Sequence, residues 1–256
     1  MPSRHFICVR SAHSLQYFYN IPPNDHLRQD LDYFYAMTEV FHEGLGASDC
    51  VGSGYVIRRK AVEDIDGIPT VSISEDTGTS AMLLGHGWTV AFIDEYLQCG
   101  EMPDTMMDHV KQRTRWTHGN IQMGTHINFR LWGEACKHCS LRQRLAGFVF
   151  GISSFFNSSL SLISFLGLPL ALLSGYPFVV YSQTWHLKWL LRLVSLWVLC
   201  DWLYKISQSL FIGWRDGMRW DAADSWLYPF FTFSYIRGFL LPKRFGGTRP
   251  GMRKSF

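Results

Sequence analysis

Two clusters in this 256-residue chain combine residue types suited to moving a group between oxygen atoms. Ser74-Glu75-Asp76 places two carboxylates at what reads as a loop-to-helix junction. Gln112-Arg113-Thr114-Arg115-Trp116 lies on a predicted helix and begins 36 residues after Asp76. A carboxylate held beside a hydroxyl can take its proton as a general base. A guanidinium can grip two phosphate oxygens at once with its planar fork. An indole offers a flat apolar face to a sugar ring and an N–H to a hydroxyl. On a helix, Gln112, Arg115 and Trp116 are i, i+3 and i+4 and share one face, with Arg113 about 100° away. Each cluster taken alone has a plainer reading. Asp76 could be a helix N-cap, arginine and tryptophan could be anchors beside a membrane, and Trp116 could be a core side chain.

These clusters need elements to hold them. The Ser74 segment precedes a helix expected over about Thr77–Leu84, closed by Gly85-His86-Gly87, and a strand is expected over Trp88–Ile93. The second cluster's helix starts near Thr105, where Thr105-Met106-Met107-Asp108 approximates a capping box. Upstream, Pro22-Pro23-Asn24-Asp25 marks a turn, and periodicity predicts a helix from about Leu27 to Glu43. The glycine-bracketed run through Arg59 reads as loop then strand, followed by a short helix over Lys60–Asp64.

Residues 145–187 contain no Asp, Glu, Lys or Arg, a run of 43 residues, whereas one helix crosses a bilayer with about 20. The expected layout is an amphipathic interfacial helix over Leu141–Phe156 and a span over Leu160–Val180. A turn at Trp185–Lys188 and a second span over Trp189–Ile212 follow. Within the second span Asp201 and Lys205 can pair at i,i+4. Trp226–Leu241 reads as interfacial. Arg142, Arg144 and the basic tail of Lys243, Arg244, Arg249, Arg253 and Lys254 suit a cytosolic rim. A net charge of +3 with dispersed basic residues argues against a nucleic-acid partner. The first residues lack an apolar signal core, and six scattered cysteines fit a reducing face. Cys136-Lys137-His138-Cys139 has no second pair to complete a zinc site, so its thiols read as incidental ones on a loop beside the membrane. A transporter is disfavoured because no inverted repeat is evident.

In their order and spacing, the two clusters resemble the TED and QxxRW motifs of processive, inverting family 2 β-glycosyltransferases: the cellulose, mixed-linkage glucan, chitin and hyaluronan synthases. Ser74 stands where the motif has Thr. The segment Cys50-Val51-Gly52-Ser53-Gly54-Tyr55 resembles the family's acceptor loop. The resemblance implies an α/β fold, part of a GT-A-like glycosyltransferase domain, followed by an α-helical transmembrane region. Its bounds would be 1–140 for the catalytic part, 141–241 for interfacial and transmembrane helices, and 242–256 for a basic cytosolic segment. The resemblance casts Asp76 as catalytic base, Arg115, Gln112 and Arg113 at the donor diphosphate, and Trp116, Gly52, Ser53 and Glu75 at the acceptor. Phe245, Thr248 and Arg249 would lie in a gating loop, although the usual FxVT pattern is absent and a basic juxtamembrane tail is the alternative.

The implied activity is inverting transfer of a hexose, glucose above others, from a UDP-sugar to a growing β-linked glucan, coupled to translocation across a lipid bilayer. An oligomer or accessory subunit is a further expected partner. The implied location is a multi-pass protein of plasma membrane or Golgi with its catalytic side cytosolic. The family uses Mg2+ or Mn2+, but no metal ligand is identifiable in this chain. Asp30-Leu31-Asp32 and Asp64-Ile65-Asp66 follow the Phe18-Tyr19-Asn20 segment, the wrong side for the family's metal motif, and read as solvated surface carboxylates. The chain is therefore expected to carry the acceptor-side motifs without the nucleotide- and metal-binding half. The alternative is an inactive membrane fragment or a non-catalytic subunit.

Overall fold

The computed structural model describes residues 11–177, 179–214 and 225–240. Strand β1 (Ser11–Phe18) is the middle of a three-stranded sheet ordered β2–β1–β3 among those residues. β2 (Tyr55–Ile57) pairs with it antiparallel, Ser11 opposite Ile57. β3 (Val90–Gly100) pairs parallel from Ser11–Val90 to Phe18–Gly100, with register irregularities on either side of Leu15. A parallel neighbour requires a long crossover, which residues 19–89 provide. Pairing along all of β1 carries β3 well past the expected Ile93.

The helix expected from Leu27 begins later, as a π-helical turn (Phe34–Glu39) running into α1 (Val40–Gly44). Arg28 has φ +54°, which ends any helix at that point. The buried Asp25 carboxylate accepts the Asp30 N–H at 3.0 Å, a local bond that competes with helical pairing. Short α2 (Arg59–Asp64) then leads to α3 (Glu75–Gly85) and α4 (Met106–His126). At the start of α4 the Asp108 N–H donates to Thr105 Oγ1 at 3.2 Å.

α3 and α4 are held together at a glycine. A Cβ on Gly119 would lie 2.1 Å from Ser74 Oγ, and Ser72 Oγ donates to the Gly119 carbonyl at 2.8 Å. A second glycine, Gly85, lets the end of α3 meet the backbone of Ala135. There Cys136 and Cys139 are buried against Leu84. The two thiols are thus core groups, a correction to their reading as incidental loop cysteines.

Beyond α4 the chain reverses through Asn128, Phe129 and Arg130, all with positive φ. It then enters α5 (Leu141–Ser174), a single 34-residue helix. Ser140 and Gln143 form a full capping box at its start, and Gly175 closes it in the left-handed conformation. The expected break between an interfacial and a spanning helix near residue 157 is absent. Asn157-Ser158-Ser159 contains neither Gly nor Pro, so polarity changes along the helix without ending it. α5 is the one helix among the described residues that is long and apolar enough to cross a membrane by length and composition.

α6 (Thr184–Ile212) takes in the expected turn at Trp185–Lys188 as its first turn. Lys205 and Asp201 pair within it at 2.9 Å. It exposes many apolar side chains but also Lys188 and Arg192, which keeps it short of the expected second span by composition, and near its end Gln208 donates to the Tyr33 hydroxyl. A 3-10 turn (Ser225–Leu227) leads into α7 (Tyr228–Tyr235), which buries Leu227, Phe231 and Tyr235 against Val110 and Ile121 of α4.

Candidate functional site

The ends of these elements enclose a cavity of about 350 Å³. α3 contributes Asp76 and Thr77, and the 45–54 loop contributes Val51 and Gly52. α4 contributes Gln112, Arg113, Trp116, Thr117 and Asn120. The segment before α1 supplies Arg28, Asp30, Tyr33, Phe34 and Tyr35, and Phe150 and Phe231 close the side toward α5 and α7.

Asp76 is not the N-cap of α3; Ser74 occupies that position. One Asp76 oxygen accepts the Gly52 N–H at 2.6 Å and the other accepts the Thr77 N–H at 2.8 Å. Gly52 has φ +66°, so a residue without Cβ suits the turn that aims this N–H. Burial pushes the Asp76 carboxyl above the usual carboxylate range, and the two N–H donors oppose that rise. A carboxylate so tuned is a better proton acceptor than a solvated one.

Gln112, Arg113 and Trp116 share the cavity face of α4. The Arg113 guanidinium lies 5.0 Å from the centroid of the Trp116 ring and donates to the carbonyls of Gln29 at 3.2 Å and Arg28 at 3.5 Å. Arg115 is exposed and does not line the cavity. Glu75 and Ser53 also lie outside its wall, Glu75 exposed and Ser53 donating to Gln98 at 2.9 Å. Of the residues singled out by sequence, the cavity therefore brings together Ser74, Asp76, Gly52, Gln112, Arg113 and Trp116. Phe245, Thr248 and Arg249 lie outside the described residues.

Several wall residues escaped the sequence reading. Thr117 and Asn120 follow Arg113 and Trp116 at i+4, so periodicity carried the signal, and Thr77 Oγ1 donates to Asn120 Oδ1 at 3.4 Å. Asp30, read as a solvated surface group, forms part of the wall, with burial pushing its carboxyl up to about 6. That reading is corrected for Asp30, whereas Asp32, Asp64 and Asp66 are exposed as expected. The Asp30-Leu31-Asp32 string drew notice to Asp30, but nothing in the sequence placed it at the cavity, because the loop that presents it depends on the unusual backbone at Arg28.

Behind the cavity sits a second polar group of wholly or nearly buried side chains. Arg130 reaches Asp49 at 2.6 Å, and Glu39 lies 3.8 Å from His42. Burial, with Asp49 nearby, pushes the Glu39 carboxyl up to about 9. The same burial lowers His42.

Among the described residues, no group of three or more His, Cys, Asp or Glu side chains is placed to hold a metal ion. The described residues do not fit the divalent-metal site that the resemblance implies.

A family model described as glycosyl transferase family group 2 matches residues 24–206. The chain is 31% identical over 155 residues to the UDP-forming cellulose synthase 1 catalytic subunit of Komagataeibacter xylinus, covering 60% of this chain and 19% of the relative. It is 28% identical over 204 residues to cellulose synthase 2 of Novacetimonas hansenii, covering 75% and 12%. A UDP-forming cellulose synthase catalytic subunit of Xanthomonas axonopodis pv. citri is 28% identical over 126 residues, covering 49% and 17%. The chain thus spans about a fifth or less of the length of these relatives.

Proposed function

The chain belongs to glycosyl transferase family group 2, and we propose that it forms the acceptor side of a cellulose synthase-like enzyme that extends a β-glucan from UDP-glucose. The observation that carries this reading is the Asp76 carboxylate, fixed by the Gly52 and Thr77 amides in the wall of a cavity shared with the Trp116 indole. The acceptor's terminal sugar packs on Trp116, and its hydroxyl points to Asp76. As the hydroxyl oxygen attacks the anomeric carbon, the bond from that carbon to the diphosphate breaks with inversion. The hydroxyl proton passes to Asp76 and the nucleoside diphosphate leaves. Gln112 and Arg113, on the cavity face of α4 with Trp116, meet the donor diphosphate, and Arg113 also holds the wall; Arg115 lies on the outer face.

In this reading residues 1–140 are part of the catalytic domain, and 141–241 are interfacial and membrane helices. Residues 242–256 form a basic cytosolic segment with the gating function. The donor and metal sites come from a further segment. Exposed Tyr17, Tyr96 and Leu97 on the sheet support that division, since apolar surface of this kind is usually covered. The apolar outer face of α5 supports a membrane location, and the second span, over α6, rests on the sequence and the resemblance alone.

The test is Asp76→Asn, assayed in membranes that also supply the donor-binding segment. Polymer formation from UDP-glucose should fall about 100- to 10,000-fold, the usual worth of general-base assistance, with donor binding nearly unchanged. Near-normal synthesis would reduce Asp76 to a structural residue and point to Glu75.

A further inference from the structure

We propose that Asp30 is a second acceptor-binding residue, a carboxylate that receives hydroxyl hydrogen bonds from the glucan one or more sugar units away from Asp76. The inference rests on the reading of this cavity as the acceptor site. Asp30 lines the cavity together with Tyr33, Tyr35 and Trp116. A carboxylate among aromatic rings is the combination that holds a sugar, since the rings take its apolar faces and the carboxylate takes its hydroxyls.

The loop that presents Asp30 is built at some cost. Arg28 adopts φ +54°, a conformation that a non-glycine residue keeps only where its surroundings enforce it. Two constraints enforce it here: the buried Asp25 carboxylate accepts the Asp30 N–H, and Arg113 donates to the carbonyls of Arg28 and Gln29. Arg113, on the motif helix, thereby sets where Asp30 stands. The Arg28 guanidinium forms a long ion pair with the Asp30 carboxylate at 3.9 Å, and the buried Asp25 carboxylate shares a hydrogen bond with the Asp30 carboxyl, so its two neighbours hold the side chain at the cavity wall. Its side chain keeps 27% of its surface accessible, enough to meet a ligand.

Binding of cellotetraose to the full 256-residue chain in nanodiscs, by titration calorimetry, tests the proposal. Asp30→Ala should weaken binding about tenfold or more, the worth of a hydrogen bond to a charged group. Asp30→Asn should fall between Ala and wild type, and exposed Asp32→Asn should bind as wild type does. If both Asp30 variants bind like wild type while Trp116→Ala does not, the acceptor reading stands and the role of Asp30 is refuted. If Asp30→Ala fails to fold, the Asn variant, which keeps the side-chain shape, decides by the same criterion. Failure of wild type to bind cellotetraose would overturn both readings.

Discussion

Arg113 and Arg115 are two positions apart, yet the fold gives them different work. Arg113 is enclosed, donating to two carbonyls and lying over Trp116, while Arg115 faces out. Arg113→Ala should therefore cost about 1–3 kcal/mol of stability, the usual range for buried groups left without a partner. Arg115→Ala should stay within about 0.5 kcal/mol of wild type. Denaturant unfolding of the two variants side by side separates these outcomes. Glu39 gives a pH-dependent case. Its carboxyl has an ordinary pKa of 4.5 and is raised to about 9 in the fold, so between those values the folded state holds a proton that the unfolded state has lost. Stability contributed by the protonated Glu39 is complete below about 4.5 and drains away as pH climbs toward 9, by up to about 1.4 kcal/mol per pH unit. Glu39→Gln should match wild type near pH 5 and exceed it at pH 8, read as the difference between their unfolding midpoints.

At the scale of elements, the site depends on how closely α3 and α4 approach. Gly119 leaves room for Ser74, which begins the helix carrying Asp76, and a methyl group there would overlap Ser74 Oγ. Gly119→Ala should cost about 1–3 kcal/mol through overpacking and displace the Gly52–Asp76 contact. A carbon-13 NMR titration of the Asp76 carboxyl would register the displacement as an altered pKa, whereas an alanine at surface Gly44, with nothing within 4 Å of the added carbon, should leave that titration unchanged. The end of α3 and the start of α4 were legible because glycine and capping signals are local, whereas α3 begins at Glu75, ahead of the expected Thr77. The late start after Leu27 was not legible, because Asp25 and Arg113 impose the turn at Arg28 from outside any helical periodicity.

At the scale of the whole molecule, α5 is ~51 Å long at 1.5 Å per residue, more than the ~30 Å of a bilayer's apolar core. Its first turns pack beside Arg130 and Phe129, which leaves the later, highly exposed turns for lipid. If α5 and α6 both span, position 120 and position 250 should lie on the same side. Single cysteines at these positions, in a background without the native ones, should react with an impermeant maleimide from the same face of sealed vesicles. Opposite labelling would rule out two spans.

The sequence by itself determined the family, the α/β class of the first part, the apolar second part, and the existence of a motif helix beginning at Thr105. These follow from composition, motif order and bonds between near neighbours in the chain. Only the tertiary structure decided which face of that helix meets the cavity. A rotation of about 100° separates neighbouring residues, and sequence alone grouped Gln112 and Trp116 with Arg115. The actual rotation is set by Gly119 against Ser74 and by Val110 and Ile121 against α7, which turns Arg113, Trp116 and Asn120 inward and Arg115 out. Tertiary contacts likewise brought Asp30 into the wall, because a loop's course depends on the distant groups that satisfy its buried polar atoms.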